Sequence, residues 1–261
     1  MLETRVSVSG HFGEWLQGRY GPDGPVALVT VPCPALRITT PGDAPALFPQ
    51  TELRRFADLL GIAPYFPGTA RALPVGAGAG ASTATLVALA RAAGFEGTAE
   101  ALARACLAIE GASDPLMFDQ PDTLLWASRE GRVLRHLPAM PACEIVGGFS
   151  GPAVRTDAQD SDYDDIRDLV DAWAEAAARS DLERLAALAS ASARRCARRR
   201  GPAGDPTPDL ARKLGALGWQ RAHTGSARGL IFAPGTVPAH AEAMLTAAGL
   251  RHVLRFVTGG A

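Results

Sequence analysis

The chain has 261 residues, 47% hydrophobic and 20% charged, enough for a sizeable core in one large or two small domains. Its formal net charge of −1 supplies no field that would recruit nucleic acid or an anionic membrane surface. Lys213 is the only lysine, so a phosphate site has to rest on backbone amides, hydroxyls, arginine and metal rather than on a P-loop lysine.

In chain order, Arg5–Ser9 alternates as a short strand. Gly10, Gly13, Gly18, Gly21 and Gly24 follow as turn signals, and Pro25–Val31 reads as a buried strand. Pro41–Pro49 is a proline-rich connector. Thr51–Leu60 has helical spacing, with Leu53, Phe56, Leu59 and Leu60 on one face, and Pro64–Arg71 is loop or short strand.

The organising stretch is Leu73–Ala93, LPVGAGAGASTATLVALARAA. Three alternating glycines feed into a helical pattern carried by Leu86, Val87, Leu89, Ala90 and Ala93. A helix start offers unpaired N–H groups and a positive dipole end, and glycines in front let an anion approach the backbone. Phosphate binding and close packing of a small-residue loop both fit. Neither GxxxxGK[ST] nor GxGxxG is present, which disfavours a P-loop or a dinucleotide fold. The uncharged run from Arg71 to Arg91 contains this proline, glycines and hydroxyl residues and is rejected as a membrane span.

Thr98–Ile109 is a helix with Thr98 at its N-cap. It runs into IEGASDPLMFDQ, where Asp114 precedes Pro115. Asp114 suits the cap of a short helix, or a catalytic carboxylate held just outside one. Thr123–Ala127 and Arg132–Leu137 read as strands joined at Glu130-Gly131, and Pro138–Pro141 as a boundary. Cys143–Gly148 is a further strand. The acidic stretch Asp157–Asp168 lacks EF-hand spacing and reads as a solvated loop and helix start.

Tyr163–Arg179 and Leu182–Arg200 are helices, the second capped by Ser180-Asp181, with Arg194, Arg195, Arg198, Arg199 and Arg200 complementing its dipole; an ATP-facing or partner-facing patch is the alternative. Asp209–Leu217 is a helix. WQRAHTGSARGLIFAPG gives strand, turn, strand, with Gly225 at a positive-φ position. Pro238–Ala248 is a last helix and His252–Val257 a last strand. Cys33, Cys106, Cys143 and Cys196 form no CxxC or Cys/His ligand spacing and read as reduced thiols of a cytoplasmic protein. The opening MLETRVSVSGHFG has no apolar run of signal-peptide type.

Three segments, Gly10–Gly18, Pro74–Asp119 and Ala222–Phe232, carry four motifs that resemble one family. PVGAGAGASTA resembles the PxGxGLGSSAA motif of the GHMP small-molecule kinases, with Ala79 and Ala81 replacing a leucine and a serine. SGHFGEWLQG is similar to the SGTCGELIQG-type opening of the L-threonine kinases of cobalamin biosynthesis and propanediol utilisation. Some GHMP kinases carry a lysine where this chain has His11. EGASDPLMFD resembles the EPTDSxMFD segment of the threonine kinases, and HTGSARGLIF their AHSGSxxGLxFD segment.

The resemblance implies an α+β GHMP kinase fold. Its N-terminal half, residues 1–140, would be of ribosomal-S5-domain-2 type and bind ATP. Its C-terminal half, residues 141–261, would be ferredoxin-like. It implies ATP and Mg²⁺ as cofactors and a small amino-acid substrate, with no nucleic acid or membrane partner; a homodimer stays open. Pro74, Gly76, Ala77, Gly78, Ala79, Gly80, Ala81, Ser82 and Thr83 would wrap the phosphates. Ser82 and Glu110 would ligate magnesium, Asp114 would take the proton from the acceptor hydroxyl, and Glu14, His223, Thr224 and Ser226 would contact substrate. The implied reaction makes L-threonine O-3-phosphate. A kinase acting on homoserine and a nucleotide-binding regulator without catalysis are the alternatives.

Overall fold

A computed structural model describes residues 5–45, 47–72, 75–152, 159–160, 162–202, 204–223 and 225–260. Among them nine strands form one sheet and seven α-helices pack on it. The two longest strands, β1 (Val6–Arg19) and β2 (Val26–Ala44), form an antiparallel hairpin with register shifts at Ser9/Gly10, His11/Glu14 and Glu14/Leu16. The expected turns at Gly10, Gly13 and Gly18 are therefore strand interior, and much of the expected connector at Pro41–Pro49 is the end of β2. The glycines serve close approach instead. A Cβ on Gly10 would stand 2.4 Å from Ala79 O, and one on Gly18 2.6 Å from Asp164 O.

After β2 come α1 (Gln50–Leu60), β3 (Thr69–Arg71), α2 (Ala81–Ala92) and α3 (Ala99–Glu110). Thr98 caps α3 through the Ala101 N–H, as its position in sequence predicts. Helix α2 is buried on nearly every face from Ala81 to Ala90, so its uncharged run is that of a core helix. No helix among the described residues is long and apolar enough to cross a membrane. A 3₁₀ turn at Pro121–Thr123 leads to β4 (Leu124–Ala127) and β5 (Arg132–His136).

Next come β6 (Cys143–Phe149), α4 (Arg167–Ala178), α5 (Leu182–Arg200), α6 (Thr207–Leu214), β7 (Gly218–Arg221), β8 (Ala227–Phe232), α7 (Ala241–Ala247) and β9 (Arg251–Thr258). The sheet order is β5-β4-β2-β1-β7-β8-β6-β9, with β3 beside β2. Its second part, β9-β6-β8-β7, is the 4-1-3-2 order of a β-α-β-β-α-β ferredoxin-like unit. β1 joins β7 through the register pair Glu14↔Arg221, so one sheet runs through both halves.

The larger core cluster takes residues from both, with the Phe12 ring 5.3 Å from that of Phe149 and 5.6 Å from that of Phe256. A smaller cluster around Trp219, Leu214 and Phe232 lies under α6 and α7. All four cysteines are free and buried. The arginines ending α5 do more than face its dipole. Arg195 pairs with Asp168, Arg199 with Asp162 and Asp164, and Arg200 with Asp160, so the described part of the acidic stretch is strapped to α5 rather than freely solvated.

Candidate active site

The glycine loop alternates in both conformation and exposure. Gly76, Gly78 and Gly80 have φ of +73°, +72° and +69°. They and Ser82 are half-buried, whereas Ala77, Ala79, Ala81 and Thr83 are buried. Gly80 caps α2 with no side-chain hydrogen bond to the first turn, so the first N–H groups of α2 keep their capacity for an anion. Two neighbours hold the loop. The His11 N–H donates to Ala79 O at 3.1 Å, and the Ser226 and Ala227 N–H groups both donate to Ala77 O, at 3.0 and 3.2 Å. Pro74 and Thr224 lie outside the described residues.

Gly225 does not adopt the positive φ expected of a hairpin glycine. It is needed for proximity: a Cβ there would stand 2.4 Å from both Ala77 O and Gly78 N. The turn before β8 is thus pressed against the glycine loop.

Asp114 is neither a helix cap nor followed by a helix; Pro115–Phe118 forms a turn, closed by Phe118 N–H donating to Pro115 O. The Asp114 N–H donates to Thr83 Oγ1 at 3.2 Å, and Thr83 Oγ1 donates to the Glu110 carboxylate, 3.1 and 3.2 Å from its two oxygens. Thr83 thereby ties the first turn of α2 to the end of α3 and to Asp114. Among the described residues no cluster of three or more His, Cys, Asp or Glu forms a metal cage. Glu110 and the Ser82 hydroxyl offer hard oxygen donors, which suits a magnesium ion that takes few protein ligands and the rest from phosphates and water.

The Asp114 side chain is 23% exposed, and its Oδ2 lies 3.2 Å from His11 Nε2, which is buried. On the other side of the ring, His11 Nδ1 is 3.8 Å from Glu14 Oε1. Glu14 Oε2 accepts the His223 N–H at 2.6 Å. A row therefore runs from the half-buried Asp114 through the buried His11, Glu14 and His223.

Burial alone would lower the His11 pKa, but the Asp114 charge and hydrogen bond, with Glu14, carry it to about 9. Burial raises the Asp114 carboxyl, yet the His11 charge and hydrogen bond, with His223, hold it below its ordinary value. Burial, with Asp114, lifts Glu14 to about 7 against the opposing pull of His11. Burial, with Arg129 and Arg200 nearby, depresses His223 to about 3. At neutral pH the site thus holds an imidazolium against an ionised aspartate, and a neutral His223. The His223 ring stacks on Tyr163, with centroids 4.2 Å apart and planes at 13°, and Arg200 lies 3.9 Å from the centroid of the same Tyr163 ring.

Of the candidates read from sequence, Glu14, Thr83, Glu110, Asp114 and His223 come together, with Ser226 joined to the glycine loop through its backbone. Two residues of the site, His11 and Tyr163, are not assigned to it by sequence reasoning, and Arg200 is given there first to the helix dipole. His11 stands inside a recognised motif and can be found there; nothing local marks Tyr163.

No family model matches the sequence, and no curated protein matches it. Solved structures do. The mevalonate kinase of Methanococcus jannaschii is 11% identical, with a TM-score of 0.62 over 99% of this chain and 98% of that one. The homoserine kinase of Cytophaga hutchinsonii is 13% identical, with a TM-score of 0.60 over 100% and 96%. The L. major mevalonate kinase, solved in complex with R-mevalonate, is 14% identical, with a TM-score of 0.57 over 98% and 95%. The architecture is the α+β fold of the GHMP kinases.

Proposed function

We propose that this chain is an ATP-dependent kinase of a small hydroxyl compound, and that the acceptor is L-threonine, giving L-threonine O-3-phosphate for cobalamin side-chain synthesis. The observation that carries the kinase reading is Asp114 Oδ2 set 3.2 Å from the buried His11 Nε2, beside a glycine loop that opens a helix with no side-chain cap. Such a site supplies positioning and charge, which is what phosphoryl transfer requires. The fold shared with solved small-molecule kinases supports the same reading.

In this reading residues 74–83 wrap the triphosphate. Ser82 and Glu110 would hold a magnesium ion, which neutralises phosphate charge. The acceptor oxygen attacks the γ-phosphorus, the bond to the β,γ-bridging oxygen breaks, and ADP leaves. Asp114 takes the hydroxyl proton. Glu14 is turned inward, onto His11 and the His223 N–H. We assign it, with His223 and Ser226, to holding the turn that closes the pocket, and Thr224 to the substrate side. The two halves divide at residues 140/141. With all four thiols free, we place the protein in a reducing compartment, the cytoplasm.

L-Homoserine uses the same machinery and is the substrate in the name of the Cytophaga neighbour. Purified protein with Mg-ATP and a panel of hydroxy amino acids separates the two. ADP release with threonine supports the proposal, and release with homoserine alone replaces the acceptor. ATP binding with no turnover on any member leaves a nucleotide-binding regulator.

Gly225→Ala tests the contact between turn and loop. Its Cβ would collide with backbone atoms of Ala77 and Gly78, which cannot rotate away. We expect the KM for ATP to rise about ten-fold with kcat changed far less. Steady-state kinetics at saturating acceptor measures it.

A further inference from the structure

Thr83 lies in the first turn of α2 and is 1% exposed. Two threonines of this helix use their hydroxyls differently. Thr85 Oγ1 donates back along its own helix, to Ala81 O at 2.8 Å, the usual outlet for a threonine inside a helix. The equivalent acceptor for Thr83 is Ala79 O, which takes the His11 N–H instead. The Thr83 hydroxyl reaches out of its helix. It lies 3.1 and 3.2 Å from the two Glu110 carboxylate oxygens and accepts the Asp114 N–H at 3.2 Å. The PxGxGLGSSAA motif has alanine at this position, so the hydroxyl is no part of the pattern that the loop resembles.

The direction of these bonds is fixed. A hydroxyl has one hydrogen to give and two lone pairs. The Asp114 N–H can only donate, so it takes a lone pair and leaves the hydrogen for Glu110. Thr83 then has no hydrogen left for a phosphate oxygen. Glu110 is the last residue of α3, followed by Gly111 at φ +76°. A carboxylate there faces the negative end of the α3 dipole, so α3 gains nothing from placing it. A hydroxyl from the first turn of α2 holds it, between its two oxygens. The same hydroxyl fixes the backbone from which the Asp114 side chain projects.

We propose that Thr83 is a positioning residue that sets the Glu110 carboxylate for Mg²⁺ and ties the Asp114 backbone to it, so that one hydroxyl places both the metal ligand and the proton acceptor. This assignment rests on the kinase reading above, in which Ser82 and Glu110 hold the ion. Thr83 touches neither the ion nor the substrate and acts through Glu110.

The test is read in binding. A fluorescent ATP analogue is titrated at a series of MgCl₂ concentrations into wild type, Thr83→Val, Thr83→Ser, Glu110→Gln and the variant carrying both Thr83→Val and Glu110→Gln. Valine keeps the shape of threonine and loses the hydroxyl, whereas serine keeps the hydroxyl. Thr83→Val is expected to raise the half-saturating Mg²⁺ about ten-fold, the effect of one hydrogen bond to a charged group, with affinity for the analogue in EDTA within about two-fold. Thr83→Ser is expected to stay within about three-fold of wild type. On the Glu110→Gln background Thr83→Val is expected to add no further shift, because the two residues act as one unit.

A wild-type Mg²⁺ dependence in Thr83→Val overturns the proposal. So does an equal loss of the analogue with and without Mg²⁺, which would make the hydroxyl a phosphate ligand, and so does simple addition of the two substitutions. If Thr83→Val does not fold, Thr83→Ala, with the residue that the motif carries, takes its place under the same criteria. None of these readings needs turnover, so the two assignments fail separately. The expected Mg²⁺ pattern with no product from any hydroxy amino acid keeps the positioning role and ends the reaction. Turnover in wild type with an unmoved Mg²⁺ dependence in Thr83→Val keeps the reaction and ends the positioning role.

Discussion

Asp114→Asn is expected to lower kcat by about three orders of magnitude while the Kd for ATP stays within about two-fold. The substitution keeps the shape of the side chain and leaves the backbone N–H on Thr83 Oγ1. It removes the proton acceptor and the negative partner of His11. Rapid-quench measurement of ADP formation, with a separate titration of a fluorescent ATP analogue, reads the two quantities independently. A variant that retains activity within about ten-fold would move the proton to another group. A variant that no longer binds ATP would make Asp114 part of the scaffold.

His11→Ala is expected to lower kcat about 100-fold and to cost about 2 kcal/mol of stability at pH 7. This falls short of a fully buried pair because the Asp114 side chain is about a quarter exposed. The pH dependence has a definite sign. His11 is raised to about 9, so its contribution is complete below the unfolded value near 6.5 and fades as pH rises through about 9. Asp114 is lowered, so its contribution is complete above about 3.9 and is lost only as the pH falls through its depressed value. Glu14 acts the other way. Raised to about 7, it loses stability as pH climbs from about 4.3 to that value.

Urea unfolding of wild type and His11→Ala at pH 7 and pH 10 should therefore show a gap at the lower pH that narrows at the higher. Wild-type kcat should fall on an alkaline limb near pH 9, and His11→Lys should move that limb upward, since lysine keeps its charge to about pH 10.4. An unchanged limb in His11→Lys would assign it to another group.

The helices were the most legible part of the fold. Leu182–Arg200 matches in both bounds, and Asp181 caps it as expected through the Arg184 N–H. Helical period and capping are local signals, and here packing did not override them. The long hairpin is not legible in the sequence because glycine has two uses. At Gly10 and Gly18 the absent side chain admits a neighbouring backbone, and sequence alone cannot tell that from a turn. Helical spacing predicts that α4 starts at Tyr163, but it starts at Arg167, because Tyr163 is drawn onto His223 and the preceding aspartates onto α5.

The site divides in the same way. The glycine loop and Asp114 sit in motifs and could be named. The row from Asp114 through His11 to Glu14 depends on a bulged strand meeting a distant turn. That meeting is a product of tertiary register, which no local pattern encodes.

The buried cysteines provide a clock for opening of the molecule. Burial lifts Cys33 to about 11 and Cys143 to about 12, and raises Cys106 and Cys196 as well, so no native thiolate is available to an alkylating reagent. Labelling must wait for unfolding excursions. Cys33 and Cys106 fall before residue 140 and Cys143 and Cys196 after it, so mass spectrometry of the labelled peptides times each side separately. Because Phe12 packs on Phe149 and Phe256 across the sheet, Cys33, Cys106 and Cys143 are expected to react at one common rate. The single sheet and its core would then breathe as one.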